Sequence, residues 1–266
     1  MFHNSTDGFR WPGSCRGAIS LSFDDGLWSQ QKIAIPALNE RGFRATFYLN
    51  PLGREDDPQI DIGWRERLEL WIPVQKAGHE IGNHSLRHPC SLNIKVDWRE
   101  GINLLDWTLE QMEADILVAQ ERISEVFPSQ KATSFGYPCY ESSLGRGEKR
   151  VSYTPLIARR FVAARAKGEL QGSLANDPMY CDLHHLSSWA VERQSGAFLI
   201  GLAELAAAYG RWGIYTFHGI QEGHLPVGDT DLIELLDHLD RRRDVIWTAP
   251  VAEVGRYIST SLPAVI

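Results

Sequence analysis

The sequence predicts an α/β fold, a parallel sheet or barrel of about seven strands covered by helices. Three observations lead there. Apolar runs of strand length alternate along the chain with segments of helical periodicity. The 266 residues, 43% hydrophobic and with 9 tryptophans, can bury one large core. Polar residues gather where the predicted strands end. No linker divides the chain, so residues 1–266 read as one domain with an N-terminal arm over about 1–16.

Taken in order, the strands are GAISLSF (17–23), ATFYLN (45–50), HEIGN (79–83), ATSFGY (132–137), FVAAR (161–165), IYTFH (214–218) and VIWTA (245–249). Helices fall between them near 28–41, 64–77, 198–210, 230–242 and 250–258. The longest is predicted from near Trp98. Ile102, Leu105, Leu109, Met112, Ile116, Ala119, Ile123 and Val126 recur in steps of three and four, and Pro128 ends the run. It spans under four heptads in an alternating chain, which favours a helix covering a sheet over a coiled-coil seam.

In such folds the C-terminal strand ends meet at one rim, where the loops build a site. Asp24 and Asp25 end the first strand, His84 the third, Tyr137 the fourth, Arg165 the fifth and His218 the next.

Charge and composition exclude other classes. With 34 acidic against 27 basic residues the net charge is −7, which does not suit a nucleic-acid partner. The basic run Arg241–Arg243 ends a predicted helix, where cations favour the dipole. No stretch approaches the length of a membrane span and no basic-then-apolar leader opens the chain, so a cytoplasmic location is expected. The four cysteines, Cys15, Cys90, Cys139 and Cys181, form no C-x-x-C pair and are expected to be free thiols. No motif sets the oligomeric state.

The densest cluster is GHEIGNHSLRHP, residues 78–89. His79 and His84 are five apart with Gly82 between, which does not fit the helical H-E-x-x-H zinc motif. His84 and His88, four apart, are the better pair. With a carboxylate from SFDDG (22–26) they make a three-ligand metal site that leaves a position for water.

SFDDG, RATFYLN (44–50) and GHEIGNHSLRHP, in this order and spacing, resemble the polysaccharide deacetylase family, the NodB-homology group forming carbohydrate esterase family four. The resemblance runs from about Trp11 to Tyr257. It implies a distorted (β/α) barrel and metal-dependent removal of N-acetyl, or O-acetyl, groups from a saccharide, with zinc as the expected metal. It assigns Asp24 as general base, Asp25, His84 and His88 as metal ligands, and His218 of YTFHG as general acid. The resemblance further implies that the loop FGYPCYE (135–141) supplies the oxyanion donor, with the amide of Cys139 as the candidate and Tyr137 and Pro138 expected beside the substrate.

That loop departs from the family pattern, which places arginine where this chain has Gly136 and uses it to hold the catalytic aspartate. Arg165, ending the next strand, is the expected replacement. Trp189 is a candidate pocket wall, Asp177 or Asp182 a candidate partner for His218, and His184 and His185 read as a solvated loop. The polar segment Tyr140–Tyr153 is expected to be a long loop near the rim. Two other readings are open: hydrolysis of a non-sugar amide or cyclic imide or ureide, and saccharide binding without catalysis. A non-haem iron oxygenase fits less well, because its histidine and carboxylate ligands occur in a different order.

Overall fold

The computed structural model describes residues 8–53, 62–91, 102–130, 132–166, 175–223 and 225–262. The chain runs through β1 (Gly17–Asp24), a π-turn (Gln30–Ala34) leading into α1 (Ile35–Glu40), β2 (Thr46–Leu49), α2 (Trp64–Glu69), α3 (Ile72–Lys76), β3 (Glu80–Asn83), α4 (Leu109–Val126) and β4 (Phe135–Gly136). A small antiparallel hairpin follows, β5 (Ser143–Leu144) with β6 (Val151–Ser152), then α5 (Thr154–Ala158), β7 (Ala164–Arg165), β8 (Trp189–Ala190), α6 (Gly196–Ala208) and β9 (Trp212–Phe217). The last elements are β10 (Gly219–Ile220), β11 (Pro226–Val227), α7 (Asp229–Arg241), β12 (Ile246–Thr248) and α8 (Val251–Ser261).

The main sheet is parallel, in the order β7-β4-β3-β2-β1-β9-β8 with β12 also on β1, and it curls into a distorted barrel. The segment Leu183–Ala190 touches both of its edges. Leu186 exchanges backbone hydrogen bonds with Ala164 and Ala166 beside β7, while Trp189 and Ala190 pair with β9. The two-residue β8 carries no periodicity, which is why the sequence pattern does not show it.

Alternation along β1 separates two environments. Ile19, Leu21 and Phe23 face the helices within the largest apolar cluster, where Phe23 stacks on its register neighbours Phe47 and Phe217 at centroid distances of 5.0 and 5.1 Å. Burying each such ring contributes about 2–3 kcal/mol. Ser20, Ser22 and Asp24 face the other way, into a lumen lined by polar side chains that satisfy one another. Ser20 donates to the Ala249 carbonyl and Ser22 to that of Tyr215. The buried Glu80 carboxylate accepts from Thr46 Oγ1, Ser134 N and Oγ, and Ala252 N. At the top of this lumen Tyr48 crosses over Gly82, where a Cβ would lie 2.4 Å from its ring.

The long helix differs from expectation at its start. It begins at Leu109, after Thr108, whose hydroxyl accepts from Gln111 N while the Gln111 side chain accepts from Thr108 N. This reciprocal cap fixes the first turn. Ile102 and Leu105 precede it, Leu105 in a short 3-10 turn (Leu104–Asp106) capped by Asn103, and residues 98–101 lie outside the described part. The predicted loop 140–153 is in fact partly ordered by the β5/β6 hairpin.

The cysteines also differ. Cys90 and Cys139 form a disulfide with Cα atoms 5.7 Å apart, while Cys15 and Cys181 are free. No helix among the described residues is long and apolar enough to cross a membrane.

Candidate active site and metal centre

Asp24 and Asp25 are consecutive, so an extended strand would send their side chains to opposite faces. The chain avoids this by turning at once: Asp25 has φ 73° and Gly26 φ 66°, while Asp25 N still donates to the Tyr48 carbonyl at the end of β2. Both carboxylates are buried at the C-terminal rim of the lumen.

The histidine loop after β3 is built with similar economy. His84 N donates to Leu49 O, Ser85 and His88 take left-handed backbone angles, and Ser85 Oγ accepts from His88 N. Helix α4 buttresses the loop through Asp115, whose carboxylate accepts from the amides of Leu86 and Arg87 and from the Arg87 guanidinium. Burial pushes the Asp115 carboxyl above its usual range, against the pull of those donors. Asp115 was missed in the sequence, although a carboxylate beside Met112 and Ile116 on an otherwise apolar face was the available signal.

Asp25, His84 and His88 converge. His84 Nε2 and His88 Nε2 are 3.1 Å apart, and Asp25 Oδ1 lies 3.8 and 3.6 Å from them. The three buried ligand atoms fall within 4.8 Å of one another. The donor chemistry fits a cation. His84 Nδ1 faces the Gly136 carbonyl at 2.8 Å, which can only accept, so that nitrogen carries the proton and Nε2 presents its lone pair. Desolvation lowers the His84 pKa, favouring the same neutral form.

Asp24 is held by Arg165. Nη2 donates to Oδ1 at 2.7 Å and to Oδ2 at 2.6 Å, and both residues are buried. Nη1 donates to Thr216 Oγ1, which donates to Ser188 Oγ, which donates to the Ala166 carbonyl. The guanidinium lies over the rings of Tyr48 and Tyr140, at 5.0 and 5.6 Å. Burial alone would lower the Arg165 pKa, but Asp24 and the two phenols outweigh it and keep the group charged. Gly136 is the register partner of Arg165, and a Cβ there would lie 2.9 Å from Arg165 Nη2. The arginine on β7 therefore fills the space above the glycine on β4.

His218 completes the rim, with Nε2 3.9 Å from Asp24 Oδ2 and its side chain 12% exposed. Its Nδ1 is buried without a hydrogen-bond partner among the described residues. Neither expected carboxylate reaches it: Asp177 engages Arg211 and Met179 N, and Asp182 caps His184.

Pro138 opens a short turn (Pro138–Tyr140) in which Cys139 and Tyr140 have φ 50° and 61°. The backbone bonds of that turn use the amides of Tyr140 and Glu141 and not that of Cys139. The side chain of Tyr137 points away from the cluster, its hydroxyl donating to His184 O and hydrogen-bonded with Thr154 Oγ1 within the second apolar core. Trp189 is not brought to the site either; it packs against Tyr215 and over Gly213 in the main core. His184 faces the Phe161 carbonyl and His185 the Ser142 hydroxyl.

The profile of the family described as polysaccharide deacetylase matches residues 12–144, from ahead of β1 to the end of β5. The chain belongs to this family. Arg165 and His218 lie beyond the matched segment. No curated protein sequence matches the chain. Solved structures do. A candidate polysaccharide deacetylase from Mycobacterium smegmatis superimposes with a TM-score of 0.61 at 16% identity, covering 95% of this chain and 93% of that one. A family 4 acetyl xylan esterase from Clostridium thermocellum, solved with a cobalt ion, gives 0.51 at 15% identity, covering 92% and 96%. The family 4 carbohydrate esterase domain of a xylanase from the hindgut metagenome of Trinervitermes trinervoides gives 0.52 at 14%, covering 91% of each. At these identities the likeness is one of fold. It agrees with the deacetylase barrel described above.

Proposed function

We propose that this polysaccharide deacetylase is a metal-dependent hydrolase that removes N-acetyl groups from a saccharide, with Asp25, His84 and His88 holding a zinc ion. The observation that carries the reading is the pair of adjacent carboxylates in different employment: Asp24 clamped by Arg165, Asp25 facing the Nε2 atoms of His84 and His88. The bound cation would polarise the acetyl carbonyl and acidify a water. Asp24 takes the proton of that water, oriented by Arg165. The Cys139 amide, unused by its own turn, donates to the developing oxyanion. His218, across Asp24, protonates the departing amine. The cobalt ion carried by the Clostridium thermocellum esterase supports a cation in this fold.

The test is metal analysis of protein purified without added metal, followed by acetate release from a panel of N- and O-acetylated saccharides, with cyclic imides and ureides as the competing substrates. Chelator-sensitive acetate release from an N-acetylated saccharide is expected. Turnover of the imides alone, or bound metal with no hydrolysis, would overturn the proposal.

A further inference from the structure

The side of the metal cluster away from Asp25 carries sulfur. Cys90 follows His88 by two residues, and Cys139 sits on the turn after β4. An imidazole has nitrogens on two edges, and both edges of His88 are addressed. Nε2 faces Asp25 and His84, while Nδ1 is 3.7 Å from Cys90 Sγ. Two ligands of one tetrahedral zinc, at roughly 2.3 Å for sulfur and 2.0 Å for nitrogen, stand about 3.5 Å apart. His88, Cys90 and Cys139 offer ligand atoms that all lie within 4.8 Å of one another. In the structure the two sulfurs are joined, and a disulfide does not supply the thiolates a cation needs.

We propose that reduction of Cys90–Cys139 opens a second metal site, formed by His88 Nδ1, Cys90 Sγ and Cys139 Sγ, which takes a thiophilic divalent cation such as zinc with its fourth position open to solvent. The reductant is a dithiol. Its thiolate attacks the sulfur of Cys139, the part-exposed partner, and Cys90, fully buried, leaves as thiolate. The second thiol of the reductant then resolves the mixed disulfide. Two electrons pass to the cysteines, and the reductant becomes a cyclic disulfide. The incoming cation replaces the thiol protons and, where Nε2 of His88 already holds the first cation, the remaining imidazole proton on Nδ1, so that His88 bridges the two sites as an imidazolate and all displaced protons leave to solvent. Two thiolates and an imidazole are a softer donor set than one carboxylate and two imidazoles, so the two clusters differ in the metals they prefer. Because His88 belongs to both, loading the sulfur site acts directly on a residue of the first cluster.

The test uses cobalt(II) as probe and needs no catalysis, so it stands apart from the deacetylase reading. Cys15→Ser/Cys181→Ser protein, which retains only the pair in question, is prepared oxidised and dithiol-reduced, and the reductant is removed without oxygen before cobalt is added. The reduced protein is expected to show an intense near-ultraviolet thiolate-to-cobalt band that the oxidised protein lacks. Adding Cys90→Ser or Cys139→Ser abolishes it, and zinc displaces it. Zinc competition with a chromophoric chelator is expected to show one more bound equivalent, or at least about tenfold tighter binding, after reduction. A folded reduced protein with no such band overturns the proposal, as does a band that survives Cys139→Ser. Loss of near-ultraviolet circular dichroism on reduction also overturns it, because no site would then exist. If a serine variant fails to fold, Cys90→Ala or Cys139→Ala gives the same comparison.

Discussion

Gly136 and Arg165 are register partners on adjacent strands, and the guanidinium of one occupies the space a side chain of the other would need. An arginine can therefore reach Asp24 from β7 only while β4 carries glycine. Arg165→Lys keeps the charge but cannot reproduce a planar group that contacts Asp24 and Thr216 together. Losing a hydrogen bond to a charged group costs about 1.5–3 kcal/mol, so kcat for acetate release should fall about 10- to 100-fold. Near-normal turnover would show that Arg165 is not the clamp. Gly136→Arg alone should be inactive, its Cβ meeting Arg165, Tyr48 and His84 at 2.9–3.1 Å, and adding Arg165→Ala should restore part of the activity. A double variant no better than either single one would mean that the two positions are not interchangeable.

Thr216 is the other anchor of that arginine. It accepts from Arg165 Nη1 and donates its own hydrogen bond to Ser188, which in turn donates to the Ala166 carbonyl. Thr216→Val preserves shape and removes the acceptor, leaving a buried guanidinium nitrogen unpaired at a cost of about 1–3 kcal/mol. Thermal unfolding should show the loss of stability. Kinetics should show a lower kcat with little change in KM, and Thr216→Ser should recover both. A valine variant with normal kcat would make the chain of hydroxyls merely structural.

The adjacent carboxylates and the two histidines were legible because each motif is local: the residues that meet are one or four apart. Arg165 was legible because a strand end fixes which rim a side chain joins. What was not legible depends on pairing at a distance. Cys90 and Cys139 are 49 residues apart with no spacing motif, and only the approach of the β3 and β4 loops brings them together. Trp189 lies on a strand of two residues, too short to show which face it takes, and the fold gives it to the core. The helix start was readable and was overlooked. Thr108 and Gln111 spell a capping box, but the apolar spacing of Ile102 and Leu105 continues through it.

Asp115 should matter for metal retention without touching metal. Its carboxylate collects the Leu86 and Arg87 amides of the loop between His84 and His88. Asp115→Ala leaves those donors buried without an acceptor and lets the loop relax, so metal affinity should weaken about 10- to 100-fold, as for other groups that orient ligands. Chelator competition would measure this. Asp115→Asn, which keeps one acceptor oxygen, should lie between. Unchanged affinity in the alanine variant would show that the loop holds its shape without α4.

His79 sets an acid limit on stability. It is buried, accepts from Ala45 N through Nδ1 and donates through Nε2 to Asn39. Burial first, and the Arg44 charge second, lower its pKa to about 4. A histidine whose folded pKa lies below its unfolded value near 6.5 binds the proton first in the unfolded chain. Its contribution is therefore complete above pH 6.5 and drains away as the pH falls toward 4, a loss of about 3 kcal/mol. Denaturant unfolding of the wild type and of His79→Gln between pH 7 and pH 4 checks this. Glutamine offers an acceptor and a donor but no titration, so the variant should lose less stability over that interval. Parallel curves would mean that His79 takes up its proton in the folded state as easily as in the unfolded one.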